Sequence, residues 1–140
     1  MIDAGIIDTN VFLRHFLKDE PEQARQSSAF LGRIRRGEVS AVLLPTAVLE
    51  IIFILERQYS ATRDEVFTLL SEILELRELD VVDRAQLIDA ANVYRERRGV
   101  SFADAYHCAM ARDFHGGSII SFDRKLNGIP GVTRKDPNEV

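Results

Sequence analysis

Four carboxylates stand where their type and spacing suit chemistry. Asp8 directly follows the apolar run AGII in AGIIDTN, Glu50 sits inside PTAVLEIIFILE, Asp104 lies in SFADAY, and Asp123 comes two residues after SIIS. Each also has an ordinary structural reading. Asp is a favoured helix N-cap, a role open to both Asp8 and Asp123. Ser101 and Asp104 have the spacing of a capping box, in which the serine bonds the amide three residues on and the acid reaches back. Glu50 is too far beyond Pro45 to cap the helix that proline opens. It belongs either to a solvated stripe with Glu56 and Arg57 or among the apolar side chains Val48, Leu49, Ile51, Ile52 and Phe53. In the second setting an ionised carboxylate is costly unless a partner or a cation offsets it. If the four acids converge, their oxygens suit a hard divalent ion, and without one they would repel each other and raise some pKa values.

The surrounding pattern says what positions them. AGII reads as a buried strand over residues 4–7, and SAVLL (40–44) as a second strand. ELDVV (78–82) is a third, SIIS (118–121) a fourth, and VTR (132–134) a weak fifth. Between them, VFLRHFL, ARQSSAFLGRIRR, the segment from Pro45, RDEVFTLLSEILEL (63–76), residues 84–97 and FADAYHCAMARDF carry apolar residues at helical spacing. Such alternation predicts the α/β class. The expected architecture is one three-layer domain over residues 1–140, its parallel sheet of four to five strands ordered 3-2-1-4-5 with helices on both faces. Sites in such sheets lie beyond the carboxyl ends of the strands, where strand order reverses. Asp8 and Asp123 end the two strands expected to flank that point, Glu50 follows the second strand, and Asp104 opens the helix that feeds the fourth.

Composition narrows the classes. The chain has 140 residues, 46% of them hydrophobic and 29% charged, as in ordinary globular proteins. Its apolar runs are too short to span a bilayer, so no membrane partner is expected. MIDAGIID has neither a basic start nor a small-residue cleavage site, so no signal peptide is expected. A single cysteine, Cys108, excludes an intramolecular disulfide and fits a reducing cytoplasm. The net charge of −4 argues against a generic nucleic-acid coat, but not against a nuclease whose acids gather at a metal.

IIDTNVFLR, the acid five residues after Pro45, SFADAYHCAMA and IISFDRKL together resemble the PIN domain, in particular the VapC-like toxin ribonucleases of type II toxin–antitoxin pairs. The likeness spans essentially the whole chain and rests on four short motifs in order. It implies a PIN-like fold and metal-dependent hydrolysis of RNA, with an acidic catalytic and metal-binding site at Asp8, Glu50, Asp104 and Asp123. Thr9 and Asn10 match the small polar residues after the first acid, and Ser121 the hydroxyl residue two before the last. The implied cofactor is Mg2+ or Mn2+, as one or two ions, and the implied partners are RNA, a cognate antitoxin and a second copy of the chain. Where some members carry a further acid, this chain has Arg124 and Lys125.

Those two cations and Arg14 lie near the acids in sequence and are candidates for phosphate contacts. Arg33, Arg35 and Arg36, and Arg95, Arg97 and Arg98, read as helix ends compensating the dipole. His107 reads as a packed or surface histidine, and Phe102 and Tyr106 as core aromatics. The apolar residues 47–55, with Val66, Leu69, Leu70 and Ile73, exceed the needs of one small sheet and predict a homodimer or protein partner. Three other readings compete. A PIN-like binding module would have no use for four mutually repelling acids. A receiver domain would want an acidic pair after its first strand, and a haloacid-dehalogenase-type phosphatase an Asp where Asn10 stands.

Overall fold

The computed structural model describes residues 1–140. They form two compact units, Met1–Arg84 and Ala85–Val140.

In the first unit, β1 (Ile2–Ile6) leads into α1 (Thr9–Leu17) and α2 (Pro21–Arg35), then β2 (Val39–Leu43), α3 (Pro45–Gln58), α4 (Arg63–Leu74) and β3 (Asp80–Val81). The strands form one parallel sheet in the order β1-β2-β3, Ile2 standing opposite Val39 and Leu43 opposite Val81. β2 is the central strand, and its Val39, Ala41 and Leu43 are buried. Proline opens both α2 and α3 at the first helical position, where its missing N–H is no loss. Thr62 and Glu65 make a reciprocal capping box at the start of α4. Past the other end of α4, the Arg84 guanidinium donates to the carbonyl of Leu74, the last residue of the helix, and to those of Leu76 and Leu79 in the loop that follows.

Two expectations for this unit need correction. β1 is not a buried strand over 4–7: it spans Ile2–Ile6, with Ile2 and Ile6 about 60% exposed (61% and 62%), and the buried isoleucine is Ile7, just past it. Within its sheet β1 is hydrogen-bonded to β2 alone. The α4 stripe is already satisfied, since Val66, Leu70 and Ile73 are buried. That stripe therefore gives no argument for a partner.

The second unit follows α5 (Arg84–Glu96), which starts at the boundary, with α6 (Phe102–Phe114), β4 (Ser118–Ile120), a 3-10 turn at Arg124–Leu126, β5 (Thr133–Lys135) and a last 3-10 turn at Pro137–Glu139. β4 and β5 pair in parallel, Ser118 opposite Thr133 and Ile120 opposite Lys135. Thus the α/β class and the parallel strands are as expected, and the runs 3-2-1 and 4-5 both appear, as two hydrogen-bonded ladders. Phe102 packs edge-on against the buried Tyr94 ring at 5.7 Å, as a core aromatic should. Cys108 is buried on the same helix, and burial pushes its thiol pKa up, which makes it a poor nucleophile.

The turn into β4 depends on glycine. Gly117 has φ +83°, and a Cβ there would lie 1.9 Å from the Gly131 carbonyl oxygen. Its own carbonyl accepts the Thr133 amide at 2.8 Å. Gly117→Ala is therefore expected to destabilise the chain by roughly 2–4 kcal/mol, from left-handed strain plus backbone overlap. Urea unfolding would check this, and a variant as stable as wild type would refute it.

Candidate functional site

Asp8 is placed by the residues on either side of it. The Ile7 amide donates to Val42 of β2 at 2.9 Å, and Thr9, the first residue of α1, is 2% exposed. The chain is extended at Asp8 (φ −78°, ψ 153°), so its side chain stands at the carboxyl end of β1 and the N-terminus of α1. That is the N-cap position, yet the carboxylate makes no capping hydrogen bond. The structural role the sequence offered for Asp8 is not used. The acid is exposed, and it faces the positive end of the helix dipole. Thr9 is buried and serves the packing of α1, while Asn10 is exposed.

Glu50 lies on α3, whose buried face comprises Ala47, Val48, Ile51, Ile52 and Leu55. Glu50 itself is exposed, in common with Phe53, Glu56 and Arg57, and the Arg57 guanidinium sits 5.1 Å from the Phe53 ring centroid. Among the greasy neighbours, Val48, Ile51, Ile52 and Leu55 are buried on another face of the helix, while Phe53 is exposed like Glu50. No burial cost needs offsetting at Glu50, and the argument that such a cost demands a cation falls away.

In the second unit, Asp104 lies in the first turn of α6. The Ser101 hydroxyl caps that helix by accepting the Asp104 amide at 3.1 Å. The reciprocal half of the box is not made, so the carboxylate is not consumed by the cap. Its side chain is 34% exposed, with His107 Nδ1 4.0 Å away on a 65% exposed ring. A surface pair at that distance contributes little, and His107 is a surface histidine as expected.

Asp123 does cap. Its Oδ1 accepts the Lys125 amide at 2.9 Å, at the head of the Arg124–Leu126 turn, and its own amide donates to the Ser121 hydroxyl at 3.0 Å. Oδ2 has no bond there, so the turn holds the carboxylate while leaving one oxygen available. Ser121, matched on sequence alone, thus has a visible task in shaping this turn.

A residue the sequence reading passed over completes the turn. Arg134 of β5 donates to the Ser121 carbonyl at 2.6 Å, to Asn127 Oδ1 at 3.0 Å and to Asp136 Oδ1 at 2.7 Å. Its side chain is only 10% exposed. The guanidinium holds the Asp136 carboxyl below its usual range. Nothing in VTRKD singles out this arginine, though an aspartate two residues on was the available hint.

Of the candidate phosphate contacts, Arg14 is engaged by Gln23 at 2.9 Å and Asp19 at 3.1 Å. Arg124 and Lys125 are exposed. Of the helix-end arginines, Arg33 and Arg36 both reach Glu38, and Arg97 donates to the Gly128 carbonyl at 2.9 Å. A half-open cavity of about 90 Å³ in the first unit is lined by Phe12, His15, Phe16, Ser28, Arg35 and Glu72 among others, and none of the four acids lines it.

Each unit thus supplies two of the acids, and in neither do three or more His, Cys, Asp or Glu side chains gather to hold a metal by themselves. The donor chemistry nevertheless fits Mg2+ or Mn2+. These ions take oxygen ligands, commonly one or two carboxylates together with water and substrate phosphate. Asp8 and one oxygen of Asp123 are not committed elsewhere.

Residues 5–132 match the PIN domain family model. The chain is 22% identical over 134 residues to a VapC ribonuclease of Aquifex aeolicus (strain VF5), an alignment covering 96% of this chain and 97% of that protein. No solved structure matches. No helix is long and apolar enough to cross a membrane.

Proposed function

Because this chain belongs to the PIN domain family, we propose that it is a metal-dependent endoribonuclease, the toxin of a toxin–antitoxin pair, acting as a single PIN-like domain. The observation that carries this reading is the Asp8 carboxylate, which occupies a cap position without capping. An acid kept after a strand and left unpaired suits a ligand better than it suits the fold. The Aquifex relative, a ribonuclease by name and aligned over nearly its whole length, supports RNA as the substrate.

The residues that would hold Mg2+ or Mn2+ are Asp8, Asp104 and Asp123, with Glu50 ligating directly or through a water. Bound there, one or two ions would lower the pKa of water and add positive charge at the phosphoryl oxygens. In the reaction, a water oxygen bonds phosphorus and one P–O ester bond breaks. The attacking water loses its proton to solvent or a carboxylate, and the departing ribose oxygen gains one. Asp123 enters with its orientation already set by the Lys125 amide, and Asp8 with its backbone anchored to β2 through Ile7. Such preorganisation spares the reacting state the entropy of ordering them. Arg124 and Lys125, exposed beside Asp123, would hold substrate phosphates, and Asn10 would hydrogen-bond near Asp8. Arg14 is the weakest of these candidates, since Asp19 and Gln23 already take its donors. Cleavage of RNA with Mg2+ or Mn2+, with and without a chelator, tests the reading.

Partners remain part of the proposal. The PIN family match and the VapC-named relative support a protein contact, with either a second copy or a cognate antitoxin. The expected result is a dimer in sedimentation, or capture of the product of the adjacent gene. A strict monomer that binds no such product would overturn this part. The buried, free Cys108 suits a reducing cytoplasm.

A further inference from the structure

We propose that Arg134 is the positioning residue for Asp123, a proposal that rests on the nuclease reading of that acid. The guanidinium bridges both ends of the turn that carries it. One arm reaches the Ser121 carbonyl, two residues before the acid, and another reaches Asn127 Oδ1, four residues after it. Between those anchors the Ser121 hydroxyl and the Lys125 amide fix the backbone and one carboxylate oxygen of Asp123. Asp136 holds the guanidinium in turn, at 2.7 Å.

The chemistry explains why arginine stands here. Five donors in a rigid planar fork can serve three acceptors at once, whereas a lysine ammonium cannot span them in the same geometry. The side chain is 10% exposed and paired, so its hydrogen bonds meet little competition from water. Residues 121–127 have few other long-range restraints: the Ser121 amide bonds Lys135, and Leu126 alone of the turn is deeply buried. Without Arg134 the turn loses both tethers, and the carboxylate loses its fixed direction. Arg134 itself meets neither substrate nor metal. It acts through Asp123, as outer-shell partners do when they orient a ligand, where their loss typically costs about 10–100-fold in metal affinity or activity.

The experiment uses the full chain as wild type, Arg134→Met, Arg134→Lys, Asp123→Asn and the Arg134→Met/Asp123→Asn double variant. Amide hydrogen exchange, Mn2+ affinity without RNA, and steady-state RNA cleavage are measured on each. In Arg134→Met the Lys125 amide is expected to exchange at least about tenfold faster, while amides in the middle of α6 keep wild-type rates, since the loosening is local. Mn2+ affinity should fall by about 10–100-fold, and kcat by a similar factor with KM within about threefold. Arg134→Lys should recover part of the loss. Adding Arg134→Met to Asp123→Asn should change Mn2+ affinity less than about twofold, because the two act as one unit.

Unchanged exchange at Lys125 in Arg134→Met overturns the proposal, as does full additivity with Asp123→Asn. If Arg134→Met does not fold, Asn127→Ala removes one anchor alone, and unchanged Lys125 exchange in that variant overturns it equally. A wild-type chain that binds no Mn2+ and cuts no RNA overturns the proposal together with the nuclease reading. Wild-type binding and cleavage with additive variants overturn the positioning role alone.

Discussion

Asp8→Asn is expected to lower metal-dependent RNA cleavage by about 10³-fold while leaving stability within about 0.5 kcal/mol of wild type. The two halves of that expectation have separate physical grounds. Activity falls because the amide replaces a charged oxygen ligand with a neutral group of the same size. A loss of about 4 kcal/mol in the reacting state corresponds to three powers of ten in rate. Stability holds because Asp8 contributes no side-chain capping bond to α1, and Asn is as good an N-cap as Asp. The positions of Ile7 and Thr9, both buried, depend on backbone and packing that the substitution does not touch. Cleavage assays with Mg2+ and Mn2+, each with and without chelator, and a urea melt of the same preparation supply both readings. Wild-type cleavage in excess chelator, or full activity in Asp8→Asn, would remove the metal mechanism. A large loss of stability would show instead that Asp8 is a structural cap after all.

The particular elements show why some of this was legible in the sequence. Helices with strong punctuation were read closely: Pro45 opens α3, Ser101 caps α6, and the helix expected over 84–97 spans Arg84–Glu96. In each case local chemistry decides the boundary, and local chemistry is what a sequence displays. β1 was misread because an apolar run such as AGII says that a strand is favoured and not how many neighbours cover it. At Glu50 the sequence leaves a solvated and a buried setting open, and the helix takes the solvated one. The flanking residues are apolar, but on a helix the next residues along the chain face other directions, and the buried set Val48, Ile51, Ile52 and Leu55 defines a face that excludes position 50. Arg134 was hidden because Asp136 is its sole partner close in sequence, and Ser121 and Asn127 are farther off along the chain and come within reach with the pairing of β5 and β4.

Ser101 and Asp104 allow a dissociation within one helix turn. Read as a capping box, they should fail together, since each side chain would satisfy the other's amide. The structure divides the roles: the serine hydroxyl accepts the Asp104 amide, and the Asp104 carboxylate does not return the bond. Ser101→Ala is therefore expected to cost about 1 kcal/mol of stability, the usual value of a lost N-cap. Below its melting temperature, its cleavage rate should stay near that of wild type. Asp104→Asn should do the reverse. The backbone amide that Ser101 caps is unchanged, so stability stays close to wild type, while cleavage drops by about 10²–10³-fold as a charged ligand is neutralised. Paired melts and cleavage rates on the two variants decide the matter. Should Asp104→Asn melt early and still cut RNA normally, Asp104 is a structural residue and the acidic site must be redrawn without it. Should Ser101→Ala fold normally but lose activity, the hydroxyl itself takes part in the chemistry. The opposite pattern would place the carboxylate, and not the cap, in contact with the reaction.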